Sequence, residues 1–409
     1  MPPSPTSPKS GELPDPLLKS PHDPDPYALP QPGPSTPSAD HGPRSLLHKL
    51  AASIPSSSVY PLLCFLPLGL VSGACHWSPV LVFIYNFLAI IPLSALVSDS
   101  SDALSDYLGD LIGGLVNASL GNSVELSTGI LAVASGEIYF AQCVMIGSIL
   151  SDLLLILGCC LITASYNTYI LHFNKPVTGA LASLMVVTSV GLILPSVLYS
   201  TFPFDLGEQI VSFSRGTSAV LLVLYGGYLY FQLGTHSHLF QQQSADEDDV
   251  DSTPEPRREL SKSLIILALS TLAIVTCTRF ILASIPAAAI SLNISKTFIA
   301  TILIPIASNS PEGAAVIMAC TGGGDVNFAI SVIVSSILQI GLFVIPFLVM
   351  LGWVIAQPMT LYFETFHTVV LFFSVLLVNC ILQDGKYTYI HGSMLVAMYA
   401  ILTLAFYVR

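Results

Sequence analysis

The chain has 409 residues, 53% of them hydrophobic and 9% charged, against about 25% charged in an ordinary soluble protein. That composition excludes a soluble globular enzyme. The formal net charge of -12 excludes nucleic-acid binding, which needs a basic face to neutralise phosphates.

The mean hydropathy is +0.75, and the apolar residues fall in blocks of roughly twenty separated by short polar breaks, the pattern of bilayer-spanning helices. The fold class is therefore all-α, a polytopic membrane protein whose first partner is the lipid bilayer. Eight cysteines lie in or beside the apolar blocks without the paired spacing of zinc or redox motifs, and they read as packing residues.

Residues 1–55 form a Pro-rich tail. The first 45 residues hold 14 of the 29 prolines, with many Ser and Asp, and cannot bury enough apolar surface to repay ordering. No basic n-region followed by an apolar run and a small-residue cleavage site opens the chain, so no removable signal peptide is expected. Ser4, Ser7, Ser20 and Thr36 each precede a proline, a pairing that suits a proline-directed kinase and is equally ordinary in such linkers.

Eleven spans follow, at about 58–75, 78–98, 108–134, 138–165, 175–199, 212–234, 261–284, 296–320, 326–357, 363–383 and 388–408. One extra N-terminal helix (56–77) precedes two five-span blocks, 78–234 and 261–409. Between the blocks, residues 235–260 carry Asp246, Glu247, Asp248, Asp249 and Asp251. This acidic loop reads either as a solvated linker or as a regulatory, cation-sensing segment. A cytosolic N-terminus puts nine basic residues on the cytosolic side and three (Arg215, Lys296, Arg409) on the other. The bias predicts a cytosolic tail and loop and a lumenal C-terminus.

An internal repeat carries the chemistry. Gly121-Asn122-Ser123-Val124-Glu125 in the third span recurs as Ser308-Asn309-Ser310-Pro311-Glu312 in the eighth. The span after each carries a second matched element, Gly147-Ser148-Ile149-Leu150 and Ser335-Ser336-Ile337-Leu338, 23 residues after Glu125 and 24 after Glu312. Five spans is an odd number, so the second block enters the membrane from the opposite side and the two form an inverted repeat. In transporters of this construction the substrate site lies near the midplane, at the repeat interface.

A carboxylate near a helix centre costs about 2.5–3.5 kcal/mol on insertion scales and must be neutralised. No basic residue shares the third or eighth span, so Glu125 and Glu312 are expected to hold either protons or a bound cation. Asn122 and Asn309, three residues before each Glu, share its helical face and add carbonyl oxygens, and Ser148 and Ser336 offer hydroxyls. Pro311 lacks an N–H, which predicts a free Ala307 carbonyl as a further ligand. Two carboxylates plus several neutral oxygens suit a hard divalent ion, Ca²⁺ first. The bland alternative, small-residue helix contacts, accounts for Ser123 and Ser310 but not for two unpaired glutamates.

On these residues the chain resembles the calcium/proton exchanger (CAX) family of the calcium/cation antiporter superfamily, of the fungal vacuolar type. Further matches are Gly113 to Ala118, Ser135 to Ile138, Pro305 to Ala307, and Gln339 through Phe347 to Trp353. The resemblance implies an antiporter that loads Ca²⁺ into an acidic store in exchange for H⁺, with no bound cofactor and no catalytic residues. It also implies Glu125 and Glu312 as essential ligands and proton carriers, with supporting oxygens from Asn122, Asn309, Ser148, Ser336 and Gln339.

The chain departs from the family pattern at Ser308, Ser310, Pro311 and Gly313, the last standing where the family usually has His. Asp152 replaces the usual Asn, adding a carboxylate one helical turn after Ser148; it reads as a ligand or extra proton site, or as a protonated contact within the bundle. These changes bear on specificity, with Mn²⁺ or a monovalent ion as the alternative cargo. A non-transporting sensor or a channel on the same scaffold is the rival function.

Gly322-Gly323-Gly324-Asp325 matches the GxGD motif of intramembrane aspartyl proteases but lies in a short connection, where turn chemistry explains it. Glu137 and Asp325, at the entrances of the fourth and ninth spans, either funnel cations or favour the positive helix ends. The sequence sets no oligomeric state.

Overall fold

The computed structural model describes residues 60–108, 113, 116, 120–165, 171–172, 175–201, 207–235, 256–321 and 326–409. The tail, Asp246, Glu247, Asp248, Asp249, Asp251 and Asp325 lie outside the described residues.

Among the described residues these helices follow in chain order: α1 Tyr60–Ala74, α2 Pro79–Leu108, α3 Ser123–Ala134, α4 Ile138–Ala164, α5 Lys175–Thr201, α6 Gly207–Leu229, α7 Pro256–Leu292, α8 Lys296–Ala319, α9 Val326–Val354, α10 Thr365–Asp384 and α11 Tyr389–Val408. Among the described residues nine are long and apolar enough to cross a bilayer, while α1 and α3 are shorter apolar helices. Eleven spans were expected; among the described residues nine helices have spanning length. The only strands among the described residues are β1 (Leu171–His172) and β2 (Lys386–Tyr387), which pair antiparallel and join the connections that follow α4 and precede α11.

Two boundaries depart from the sequence reading, each for a local reason. The third span was expected to be continuous over 108–134, yet α3 starts at Ser123 because Asn122 leaves helical geometry, with φ -101° and ψ 35°. Glu125 therefore sits in the first turn of a helix, at its positive end. The seventh helix begins at Pro256, inside the stretch assigned to the acidic loop, because a proline at the first helical position gives up no hydrogen bond. By contrast, α8 continues unbroken through Pro311, the residue whose missing N–H was expected to free the Ala307 carbonyl.

Both site-bearing inner helices contain a π segment shortly after their serine, Ser151–Ile156 in α4 and Ile340–Val344 in α9. A third, Ile299–Leu303, precedes the second motif in α8. Each widens the helix by one residue and turns the following side chains relative to the preceding ones. In their most apolar stretches α4 is 83% buried and α9 72%, whereas α6 and α11 are 28% buried. The two helices carrying the second matched element thus form the centre of the bundle, with lipid-facing helices around them.

Close approach in that centre depends on small residues. Gly147 in α4 lies against α8, where an added Cβ would stand 2.2 Å from the Thr301 carbonyl oxygen. Only glycine permits that backbone contact, as is usual where membrane helices pack tightly.

Candidate cation-binding site

Seven predicted site residues form one continuous hydrogen-bonded chain across the two halves. Ser148 Oγ donates toward Glu125 Oε1 at 3.1 Å and is 3.4 Å from Asn309 Oδ1. Asn309 Nδ2 donates to Asp152 Oδ1 at 2.7 Å. The other oxygen of Asp152 accepts from Ser336 Oγ at 3.0 Å, and Ser336 lies 3.2 Å from Asn122 Oδ1. Asn122 Nδ2 closes the chain by donating to Gln339 Oε1 at 2.7 Å.

The pairing is reciprocal. Each asparagine amide oxygen faces the serine of the opposite half, and each amide nitrogen donates to a residue just beyond that serine. In the first half this residue is Asp152, a carboxylate, and in the second it is Gln339, a neutral amide. A symmetric backbone thus holds an asymmetric charge pattern.

Glu125, Asp152, Asn122, Asn309, Ser148 and Ser336 are all buried. Taking ionised carboxylates out of water is costly unless a counter-charge accompanies them. Among the described residues no basic side chain pairs with Glu125, Asp152 or Glu312. Protons or a bound cation are the neutralising charges that fit.

Glu312 stands apart from the chain of bonds. Its partly exposed side chain lies within electrostatic range of Glu125 and Asp152, and also of Asp102 on α2. In this conformation no three His, Cys, Asp or Glu side chains among the described residues converge as a metal-ligating group. The oxygen-rich part of the site is therefore carried by amides and hydroxyls around Glu125 and Asp152, with Glu312 at its margin.

The Ala307 carbonyl was expected to be free. Pro311 does remove its helical donor, but Ser310 Oγ takes that place, donating to Ala307 O at 3.1 Å. A serine one residue before the proline thus caps the defect from within the same turn. Ser310 had been assigned to packing alone, and here its side chain partners the carbonyl that was expected to be free.

Two partners escaped the sequence reading. Ser308 Oγ donates to Asn309 Oδ1 at 3.1 Å, and Ser94 of α2 donates to Ser308 O at 2.8 Å. The first lies inside the motif and was legible there; nothing in the sequence pairs Ser94 with residue 308. Glu137 is exposed at the start of α4, away from the bonded chain. At Gly313 an added Cβ would lie 2.7 Å from Ile156 Cδ1, so Ile156, in the π segment of α4, occupies the space that a larger residue there would need.

A profile of the sodium/calcium exchanger protein family matches residues 78–234 and 262–408. The chain is 38% identical over 362 residues to the vacuolar calcium ion transporter of Schizosaccharomyces pombe, with 88% of this chain and 87% of the relative covered. It is 35% identical over 358 residues to vacuolar cation/proton exchanger 3 of Oryza sativa subsp. japonica, with 84% and 85% covered. Its fold resembles the structure of native YfkE at a TM-score of 0.72 and 24% identity, over 86% of this chain and 100% of that one.

Proposed function

Because the chain belongs to the sodium/calcium exchanger protein family, we propose that it exchanges Ca²⁺ for H⁺ across the membrane of an acidic, vacuole-type organelle by alternating access. The observation that carries this reading is the bonded chain from Glu125 to Gln339, in which buried carboxylates stand among amide and hydroxyl oxygens contributed by both halves. The relatives named for vacuolar calcium transport and cation/proton exchange support it.

In this reading Glu125 and Glu312 hold the ion or protons, and Asn122, Asn309, Ser148, Ser336, Gln339 and Asp152 supply further oxygens. The Ala307 carbonyl joins them when Ser310 turns away. The N-terminal tail and the acidic loop face the cytosol, and Arg409 faces the lumen. Glu137 and Asp325 draw cations to the two entrances, and the acidic loop regulates. Mn²⁺ is the second cargo to test.

Cytosolic Ca²⁺ displaces the protons, the loaded halves rock, and lumenal acid reprotonates the carboxylates and expels the ion. Coupling is then competition for the same oxygens. Two protons moving down a gradient of roughly two pH units supply about 5.4 kcal/mol at about 1.36 kcal/mol per proton per unit, enough for a Ca²⁺ ratio near ten-thousandfold.

Uptake into proteoliposomes with an acidic interior, compared for Ca²⁺, Mn²⁺ and Na⁺, tests the reading. Native protein takes up Ca²⁺ until the pH gradient is collapsed, and Glu125→Gln and Glu312→Gln do not. Proton-independent flux would favour a channel, and binding without flux a sensor.

A further inference from the structure

Several helical threonines in this chain donate to their own helix. Thr163, Thr188, Thr201, Thr276 and Thr403 each bond the carbonyl four residues back, an ordinary way to satisfy a hydroxyl within a helix. Thr301 of α8 departs from that pattern. Its hydroxyl meets Nε2 of His367 on α10 at 3.1 Å, and both side chains are buried. The thiol of Cys143 on α4 is also in reach of that hydroxyl, and a thiol is the weaker partner.

The imidazole is oriented from its other side. Nδ1 faces Glu364 Oε2 at 3.4 Å, and that carboxylate, just before α10, is itself held by Tyr139 Oη at 2.6 Å and by Arg409. A carboxylate beside Nδ1 places the ring proton there and leaves Nε2 to accept from the Thr301 hydroxyl. Phe406 lies against the ring with centroids 5.0 Å apart, and Tyr139 meets it edge-on at 6.3 Å.

Thr301 stands in the middle of the π segment Ile299–Leu303, where one extra residue interrupts the regular helical ladder. Its carbonyl oxygen is the atom that lies against Gly147 of α4. The residue after Gly147 is Ser148, whose hydroxyl donates toward Glu125 at 3.1 Å and stands 3.4 Å from Asn309 Oδ1. A bond from α10 is thus transmitted to the cation site in two steps, first to Thr301 and then to Gly147.

We propose that His367 is a positioning residue for the cation site: its bond to Thr301 holds the π segment of α8 against Gly147 and so keeps Ser148 between Glu125 and Asn309. The transport consequence rests on the exchange reading. His367 acts at a distance, through the helix crossing, so its loss lowers affinity for Ca²⁺ more than the turnover of the loaded protein.

The test uses the full chain, purified in detergent for hydrogen–deuterium exchange and reconstituted for Ca²⁺ uptake. In His367→Leu, peptides covering residues 299–303 incorporate deuterium several-fold faster than in native protein. The KM for Ca²⁺ rises about three- to tenfold while kcat stays within about twofold. Thr301→Val, which keeps the volume and removes the hydroxyl, does the same. The double variant is no worse than either single one, because removing both partners leaves no buried group unpaired. Conservative replacements divide by the ring nitrogen they imitate. His367→Gln brings an amide near the place of Nε2 and follows native protein, whereas His367→Asn reaches only the place of Nδ1 and follows His367→Leu. A side chain needed for bulk alone would not divide them in this way.

Unchanged deuterium incorporation over residues 299–303 in both His367→Leu and Thr301→Val overturns the proposal. So does an unchanged KM in a transporting His367→Leu protein, additive losses in the double variant, or equal behaviour of His367→Gln and His367→Asn. Should His367→Leu fail to fold, Thr301→Val and the Gln and Asn variants carry the same comparison. Deuterium incorporation needs no transport, so variants that differ as described in a protein with no proton-driven uptake refute the exchange reading and leave the positioning role standing.

Discussion

Glu125 and Glu312 are equivalents in the repeat but occupy different surroundings. The first is buried and held by Ser148; the second is partly exposed, its side chain without a hydrogen bond among the described residues, within range of Asp102. The residue that breaks the symmetry further is Asp152, which receives Asn309 as Gln339 receives Asn122. Replacing Asp152 by Asn preserves the shape and most of the bonds, since the amide still accepts from Asn309 and can donate to Ser336. It removes one negative charge. Transport in Asp152→Asn is expected to persist with the KM for Ca²⁺ raised about three- to tenfold, or about 0.7–1.4 kcal/mol, measured by the concentration dependence of uptake. An Asp152→Asn variant as inactive as Glu125→Gln would instead make Asp152 an essential ligand.

At the scale of elements, the matched π segments and the glycine contact decide how α4 and α8 bring their ligands together. Gly147→Ala forces a methyl against the Thr301 carbonyl oxygen, a backbone atom that cannot swing aside. Overpacking of this kind typically costs about 1–3 kcal/mol, so the detergent-solubilised variant should unfold at a lower temperature than native protein and transport more slowly. Gly179 in α5 provides the contrast, because an added Cβ there meets nothing within 4 Å. Gly179→Ala should leave transport unchanged and raise helix stability by about 0.5–1 kcal/mol. Equal melting shifts in the two variants would show that the α4–α8 approach is not tight.

Across the whole molecule, neither half contains a finished site. Asn309 is completed by Ser148 and Asp152 from the first half, and Asn122 by Ser336 and Gln339 from the second. A chain divided within residues 236–250 and co-expressed as two pieces should regain proton-driven Ca²⁺ uptake, while each piece alone should give none. Uptake by a single piece would disprove a shared site.

This division also explains what the sequence made legible. The Asn-Glu and Ser elements stand out because composition and spacing repeat along the chain, and so do the apolar blocks that became helices. The cross-half partners do not, because hydrogen-bond pairing depends on how helices distant in sequence come to rest. The break at Asn122, the π segments and the Ser310 cap each involve only one or two residues, too little to disturb a hydropathy pattern about twenty residues long.

The contact at Gly147 has a mechanical meaning as well. Two backbones that touch through a missing side chain have little freedom to part, yet can tilt about the point where they meet. Thr301 is the neighbour of Gly147 there, and Ser148 is the next residue along α4. If the halves rock, that point is a fulcrum: groups beside it travel little, while the far ends of α4 and α8 sweep through the larger arc. The ion would then stay at nearly constant depth as the two mouths of the protein take turns, and the lever arms would be longest toward Tyr139 and Thr297, whose hydroxyls lie 3.4 Å apart at one end of the bundle.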